Sequence, residues 1–323
     1  MHILRPLLVW SALCFALYAA GGTAKQPNVL FIAVDDLNDW IGCLGGHPQT
    51  KTPNFDRLAA SGVLFKNAYC PGASCNPSRS AILSGIEPHR SGLYTNRQKM
   101  RELMPEAELL PKYFSRNGYS STGSGKILHY VIDPQSWDDY FPEKAKDNPF
   151  PRTFDPSPRP VNLRRAGEWQ YAETDWASLD VTDEEFGGDW LVTKWIGEQL
   201  QRPHDKPFFL ACGLYRPHEP WFVPKEYFEP FSLETIQPGP GFKADDVADL
   251  PPAGQKLARN RYFEHIQKEG QPSAQNAGDT FTTKVVTRNS MTSGVIPMNG
   301  RISRQNPSTP ASSPRCGHSL RRK

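Results

Sequence analysis

Two stretches of the chain are apolar without a break and stop abruptly at polar residues. NVLFIAV (Asn28 to Val34) ends at Asp35-Asp36, and PFFLACGL (Pro207 to Leu214) ends before YRPHEPW. Continuous β-branched and aromatic runs of this length predict strands buried in a parallel sheet. VLFKNAY (Val63 to Tyr69) predicts a third strand. Elsewhere the apolar positions follow a helical period. NFDRLAASG (Asn54 to Gly62) and ELLPKYFSRNGY (Glu108 to Tyr119) predict short helices, each closed by a glycine. DEEFGGDWLVTKWIGEQL (Asp183 to Leu200) predicts a helical segment whose Trp190, Leu191, Trp195 and Ile196 form a core stripe rather than a cofactor box. Strands alternating with helices, with polar residues just after the strands, predict an α/β sheet carrying its site at the carboxyl ends. No internal repeat is present.

Composition narrows this picture only a little. At 323 residues the chain holds one large domain or two ordinary ones, and 38% hydrophobic with 11% aromatic residues suffices for a core. The 31 prolines argue for stiff surface loops rather than a helical bundle. The net charge of +3 is unevenly spread: eight Lys/Arg and one acid, Asp279, lie from Gln271 onward, leaving −4 before it. The basic character thus belongs to the end of the chain, and no nucleic-acid partner is expected. At the other end, His2 and Arg5 precede an apolar run from Leu7 to Ala20, with small residues around Thr23-Ala24. That run is short of the roughly 20 residues of a membrane span. The expectation is a signal peptide over 1–24, export, and no stable membrane insertion after cleavage. The compartment would be secreted or periplasmic, or lysosomal in a eukaryote. Losing Cys14 leaves Cys43, Cys70, Cys75, Cys212 and Cys316. Five is odd, so at least one thiol is unpaired, and a Cys43–Cys70 bridge is open to formation.

Chemistry concentrates at SCNPSRSAILSG, residues 74 to 85. A zinc-binding cysteine would want a second Cys or His two to four residues away, and there is none. A helix begun near Pro77 and stopped by Gly85 puts Arg79 on the same face as Cys75. Cys75 then lies at a helix N-terminus, a place suited to a nucleophile or an anion. Asp35-Asp36 cap a helix or solvate a loop on one reading, and ligate a hard cation on another. In GSGKILHY, Lys126 and His129 read as a solvated turn or as site groups; the residue after Lys126 is not Ser or Thr, so this is no phosphate loop. His218 in RPHEP is an incidental loop histidine or a catalytic one.

Taken together, these motifs resemble the sulfatase family. CNPSRSAILSG matches its Cys-x-Pro-Ser-Arg signature with the following Leu-Ser-Gly, and NVLFIAVDDL is similar to its first strand with metal aspartates. GKILH and FFLACGLYRPHEPW resemble the iduronate-2-sulfatase branch. The match runs from about Asn28 to Glu269. It implies an alkaline-phosphatase-like, mostly parallel sheet flanked by helices. It further implies that a formylglycine-generating enzyme converts Cys75 to formylglycine, whose hydrate attacks sulfur with one hydroxyl and expels sulfate with the other. Asp35, Asp36 and modified Cys75 would bind Ca2+. Arg79 and Lys126 would steady diol and sulfate, and His129 and His218 would serve diol and leaving oxygen of a sulfated carbohydrate.

The family also completes its metal site with a later Asp-Asn or Asp-His, which the order requires after His218. Asp245-Asp246, Asp249 and Asp279 lack the partner, and Asp147-Asn148 stands too early. After LARNRYFEHIQKEGQ the chain turns to Ser, Thr, Pro, Asn and basic residues with no sustained period. The expected organisation is therefore an incomplete catalytic domain over 25–270 and a disordered or out-of-frame tail over 271–323, with sulfatase activity weakened or lost through truncation. The rival expectations are a non-catalytic sulfoglycan-binding remnant and a phosphatase or phosphodiesterase of the same fold. Cys75 in place of Thr or Ser speaks against the last.

Overall fold

The computed structural model describes residues 26–160, 175–232, 234–237 and 247–258. The expected signal peptide and tail lie outside the described residues. Among the described residues there are six strands: β1 (Val29–Val34), β2 (Ser120–Gly125), β3 (Asp139–Phe141), β4 (Trp176–Leu179), β5 (Phe208–Leu214) and β6 (Trp221–Pro224). Four form one all-parallel sheet in the order β1-β5-β2-β3, and β4 pairs with β6 in a separate parallel ribbon. The helices that matter to the site are α1 (Pro53–Ser61), α2 (Cys75–Ser84), α3 (Pro88–Ser91), α4 (Met100–Leu103), α5 (Leu110–Arg116), α6 (Asp183–Phe186) and α7 (Asp189–Gln201). Among the described residues no helix is long and apolar enough to cross a membrane.

The sheet separates two cores. On one face Phe209 and Ala211 of β5 meet Leu83, Leu109, Trp137 and Tyr140, with Val29, Phe31 and Phe114 packed against them. On the other, Phe208, Leu210, Cys212 and Leu214 meet Val192 and Ile196 of α7, with Leu30 and Val34 alongside. This is the period-2 alternation of a strand covered on both faces, and every residue of β5 is buried.

Several expectations are corrected. β1 is parallel as expected, but it is an edge strand among the described residues, and Ile32 is 40% exposed. Val63 to Tyr69 forms no strand; no neighbour pairs with it, and Val63, Phe65 and Tyr69 are exposed. The segment 183–200 is broken at Gly187-Gly188, both at positive φ, into α6 and α7. The face of α7 against the sheet is Val192, Ile196 and Gln199; Trp190 and Leu191 are only half-buried. Cys43, Cys70, Cys75 and Cys212 are free thiols, so the Cys43–Cys70 bridge is absent.

The central strand β2, SSTGSG, carries no apolar signal, and only packing explains it. Gly125, the last residue of β2, pairs with Gly213, one residue before the end of β5. Gly125 adopts φ +77, and a Cβ there would lie 2.0 Å from the Gly213 carbonyl oxygen. A Cβ on Gly213 would lie 2.4 Å from the carbonyl carbon of Lys126, whose N–H donates to Gly213 O at 2.9 Å. The glycine pair lets the Lys126 backbone press onto β5 and turn its side chain inward. Gly213→Ala should therefore destabilise the fold by about 1–3 kcal/mol through overpacking. Gly197→Ala in α7, where nothing lies within 4 Å of the added carbon, should stabilise it by roughly 0.5–1 kcal/mol. Chemical denaturation midpoints moving in the same direction for both variants would disprove this account.

Candidate active site

Three neighbouring strand ends deliver the polar groups. β1 runs into Asp35, β2 into Lys126, and β5 into the loop carrying His218. Parallel strands end on one edge, so these groups share it. The fourth contributor is α2, which begins at Cys75 itself, two residues before the proline expected to open it. Ser74 is its N-cap in backbone conformation but makes no side-chain cap of its own. Asn96 takes that role from a distant loop: its Oδ1 accepts from Ser74 Oγ at 2.8 Å and from the Asn76 N–H at 2.9 Å. Gly85 at φ 70 closes the helix.

Asp35 sits at the centre, 3% exposed. Arg79 Nη2 donates to its Oδ1 at 2.6 Å, while Nη1 donates to the carbonyls of Lys126 at 2.6 Å and Ile127 at 3.1 Å. Lys126 Nζ forms an ion pair with Asp35 Oδ2, a Coulombic contact without the angles of a directed hydrogen bond. Lys126 is 0% exposed, and its ammonium also lies 4.8 Å from the ring centroids of Tyr130 and Tyr215. It is no solvated turn. Burial opposes ionisation of Asp35, but the Arg79 and Lys126 charges outweigh it and hold its carboxyl below the usual range.

Around this group stand the other expected residues. Burial pushes the half-buried Cys75 thiol up, Lys126 pulls the other way, and Asp35 and Asp36 add to the rise, so the thiol is the resting form. Burial first, and then the Lys126 charge, lowers His129 to about 4, leaving a neutral imidazole at physiological pH. Its Nδ1 has no hydrogen-bond partner among the described residues. His218 Nδ1 is 2.7 Å from the Glu219 carbonyl oxygen, which only accepts. Nδ1 therefore carries a proton, and Nε2 points out, 3.8 Å from Asp36 Oδ2. Asp36 is exposed and left-handed at φ 54, a conformation that Asp tolerates better than most residues. A cleft of about 1260 Å³ is lined by Asp35, Asp36, Cys75, Arg79, His129 and His218 together. Lys126 lies behind it, reached through Asp35.

One atom each from Asp35, Cys75 and His218 lie within 4.8 Å of one another, the one cluster of three potential metal ligands found among the described residues. His218 belongs to it and Asp36 does not. Calcium takes about 6–8 oxygen ligands, whereas this set offers one carboxylate already engaged by two cations, one thiol and one imidazole. Asp35 and Cys75 of this cluster belong to the set expected to bind a divalent cation, and the cluster is a possible metal-ligand group. Asp147 is committed elsewhere, its Oδ1 accepting from the N–H groups of Ile132 and Asp133 at 2.7 and 2.9 Å. Asp245-Asp246 and Asp279 lie outside the described residues. Sequence reasoning overlooked Asn96, Tyr130 and Tyr215; the signal for the two tyrosines was an aromatic beside each basic motif, in KILHY and LYRPH.

The sheet, with its polar edge, defines the class. Over 81% of this chain and 56% of the other, the fold matches phosphonate monoester hydrolase of Agrobacterium radiobacter with a TM-score of 0.54 at 20% identity. That likeness shows the alkaline-phosphatase-like fold alone. Within that class, the sequence model of the sulfatase family matches residues 27–266, and the chain belongs to the sulfatase family. It is 39% identical over 239 residues to a sulfatase of Formosa agariphila, covering 72% of this chain and 47% of that protein. It is 32% identical over 277 residues to human iduronate 2-sulfatase, covering 81% and 47%. The chain thus spans about half the length of these curated relatives.

Two expected outcomes follow from the buried charges. Asp35→Asn strands two cations and should cost about 3–5 kcal/mol. Adding Lys126→Met should recover part of that loss, and an additive double variant would show that the pair is uncoupled. For His129 the folded pKa lies below the unfolded one, so the unfolded chain gains protons first as pH falls. Stability should decline from the unfolded value near 6.5 down to about 4. In His129→Gln the urea midpoint should lose that slope over this window.

Proposed function

We propose that this chain carries the catalytic half of a sulfuric ester hydrolase acting on sulfated sugars of the glycosaminoglycan kind. The observation that supports it most is Cys75 in the first turn of α2, opening into the same cleft as Arg79 and backed by Asp35 and Lys126. The family membership and the likeness to iduronate 2-sulfatase support the substrate class. On this reading residues 25–270 are the catalytic unit, residues 1–24 direct export, and Cys75 is the substrate of a formylglycine-generating enzyme.

Once converted and hydrated, residue 75 would supply a diol, one hydroxyl attacking sulfur and the other expelling sulfate as the aldehyde returns. The chain's own residues do the rest. Arg79 and Lys126 set a positive field at the inner wall of the cleft, where a sulfate ester's non-bridging oxygens gain charge. Arg79 cannot swing freely, because Asp35 and two carbonyls hold its guanidinium in place. His129, neutral, is a fit acceptor for a diol proton. His218, with Nδ1–H held by Glu219, presents Nε2, which in the doubly protonated ring would give its proton to a leaving alkoxide.

A second reading, a protein that binds sulfated glycans without turning them over, is favoured by the three-member size of the donor cluster found among the described residues. Sulfate release from a sulfated disaccharide separates the two, since binding without release supports only the second. Cys75→Ala should abolish release. Cys75→Ser should leave at most a trace, because one hydroxyl can accept the sulfuryl group but no second hydroxyl remains to expel it. Multiple turnover by the serine variant would refute the diol mechanism, and unmodified cysteine in an active preparation, seen by peptide mass analysis, would refute the conversion. His218→Ala should lower turnover of a sugar sulfate by roughly 10²–10⁴-fold, and that of an aryl sulfate with its better leaving group far less. Equal losses on both substrates would remove His218 from the proton-donor role.

A further inference from the structure

A second cavity, of about 230 Å³, lies on the α7 side of the sheet. Gly125, Gly213 and Val192 line it together with Phe150, Phe186 and Phe222. We infer that this cavity binds a small monocarboxylate with a flat apolar body, whose carboxylate is received by Arg216. Arg216 lines the cavity and is 9% exposed. Among the described residues its guanidinium makes one hydrogen bond, from Nη1 to the His218 carbonyl at 3.4 Å. Its Nε is buried with no partner among them. An enclosed cation with most of its donors unused calls for an acceptor.

The acid nearest in role does not supply that acceptor. Asp189 Oδ1 and Oδ2 accept from the backbone N–H groups of Tyr215 and Arg216 at 2.7 and 2.8 Å. Its charge acts on the guanidinium without a direct ion pair, offsetting part of the burial that opposes the cation. A guanidinium presents a planar fork of N–H donors that matches the two oxygens of a carboxylate. The Tyr215 and Phe186 ring centroids lie 4.8 and 5.8 Å from Arg216 Cζ, so aromatic carbon frames that fork. The lining sets Arg159 and Arg216 against Asp155 and Asp189, a balance that suits a monoanion better than a dianion. Mostly aromatic walls favour a flat apolar body over a polyhydroxyl one. The volume falls below the roughly 300–1,000 Å³ of ordinary ligand pockets, which restricts the occupant to about the size of benzoate. Tyr130 lines both this cavity and the cleft, and its hydroxyl lies 2.9 Å from that of Tyr215. The tyrosine pair separates the two spaces, and the inference stands apart from whether the chain turns over a sulfate ester.

The test titrates benzoate into the full chain by calorimetry, with benzamide and acetate in parallel. Benzoate should bind at one equivalent. Benzamide, without the charge, and acetate, without the ring, should each bind at least ~10-fold more weakly. Arg216→Gln should weaken benzoate at least ~10-fold. Asp155→Asn is a change at an exposed side chain that removes a carboxylate acting on Arg216. It should tighten benzoate roughly 2–3-fold, a gain that misfolding does not produce. Cys75→Ala and an excess of sulfated disaccharide both address the cleft and should leave benzoate binding unchanged. Melting curves by circular dichroism check that the variants fold; if Arg216→Gln does not, the ligand series and Asp155→Asn decide. No saturable benzoate uptake, equal binding of benzamide or acetate, displacement by the disaccharide, indifference to Arg216→Gln in a folded variant, or no tightening in Asp155→Asn would each overturn the inference.

Discussion

The site rests on one buried carboxylate. Asp35 neutralises Lys126, which is fully enclosed, and anchors Arg79, which reaches in from a different element. Enclosing an uncompensated ammonium costs several kcal/mol, so Lys126 is tolerable only because Asp35 and two aromatic faces meet it. The same contact joins β1, β2 and α2, whose packing would otherwise depend on side-chain shape alone. A charge arrangement suited to an anionic ester is thus also a structural pin.

That pin needs backbone room. Serine, threonine and glycine in β2 keep its side chains small, while Gly125 and Gly213 let two strand ends touch. Lys126 is directed by this close approach and not by its own rotamer preferences. Arg101 and Asp133 secure the segment further along, with Nε and Nη2 of the arginine paired with the two carboxylate oxygens at 2.8 and 2.6 Å. The loop holding His129 is therefore tied at both ends, to β5 through Lys126 and to α4 through Asp133. Its imidazole is neutral because burial, and then the nearby Lys126 charge, disfavours the cationic form.

Much of this was readable along the chain. The apolar runs before Asp35 and before Tyr215 are strands because only a buried strand tolerates such continuous hydrophobicity. The glycine stops after Ser61 and Ser84, and Cys75 at a helix start, follow from local backbone chemistry. The failures have physical causes as well. Val63 to Tyr69 has strand composition but no described strand to pair with, and propensity does not form a ladder alone. β2 has no strand composition yet is central, since its place is set by neighbours with large side chains. The break at Gly187-Gly188 was visible as two glycines, but the helical period on both sides masked it.

What the sequence determined by itself was the list of reactive residues and their order: Asp35-Asp36, Cys75 with Arg79, Lys126 with His129, and His218. Motif spacing limits which of them share a helix face or a strand end, because those distances are set by local geometry. Which groups meet was decided only by the tertiary structure. It joined His218 to Asp35 and Cys75 while leaving Asp36 exposed, and it assigned the His218 tautomer through Glu219. It buried Lys126 where a glycine-lysine turn would ordinarily face water. Such outcomes depend on how β1, β2, β5 and α2 stack, and the sum of those contacts is not a property of any one segment.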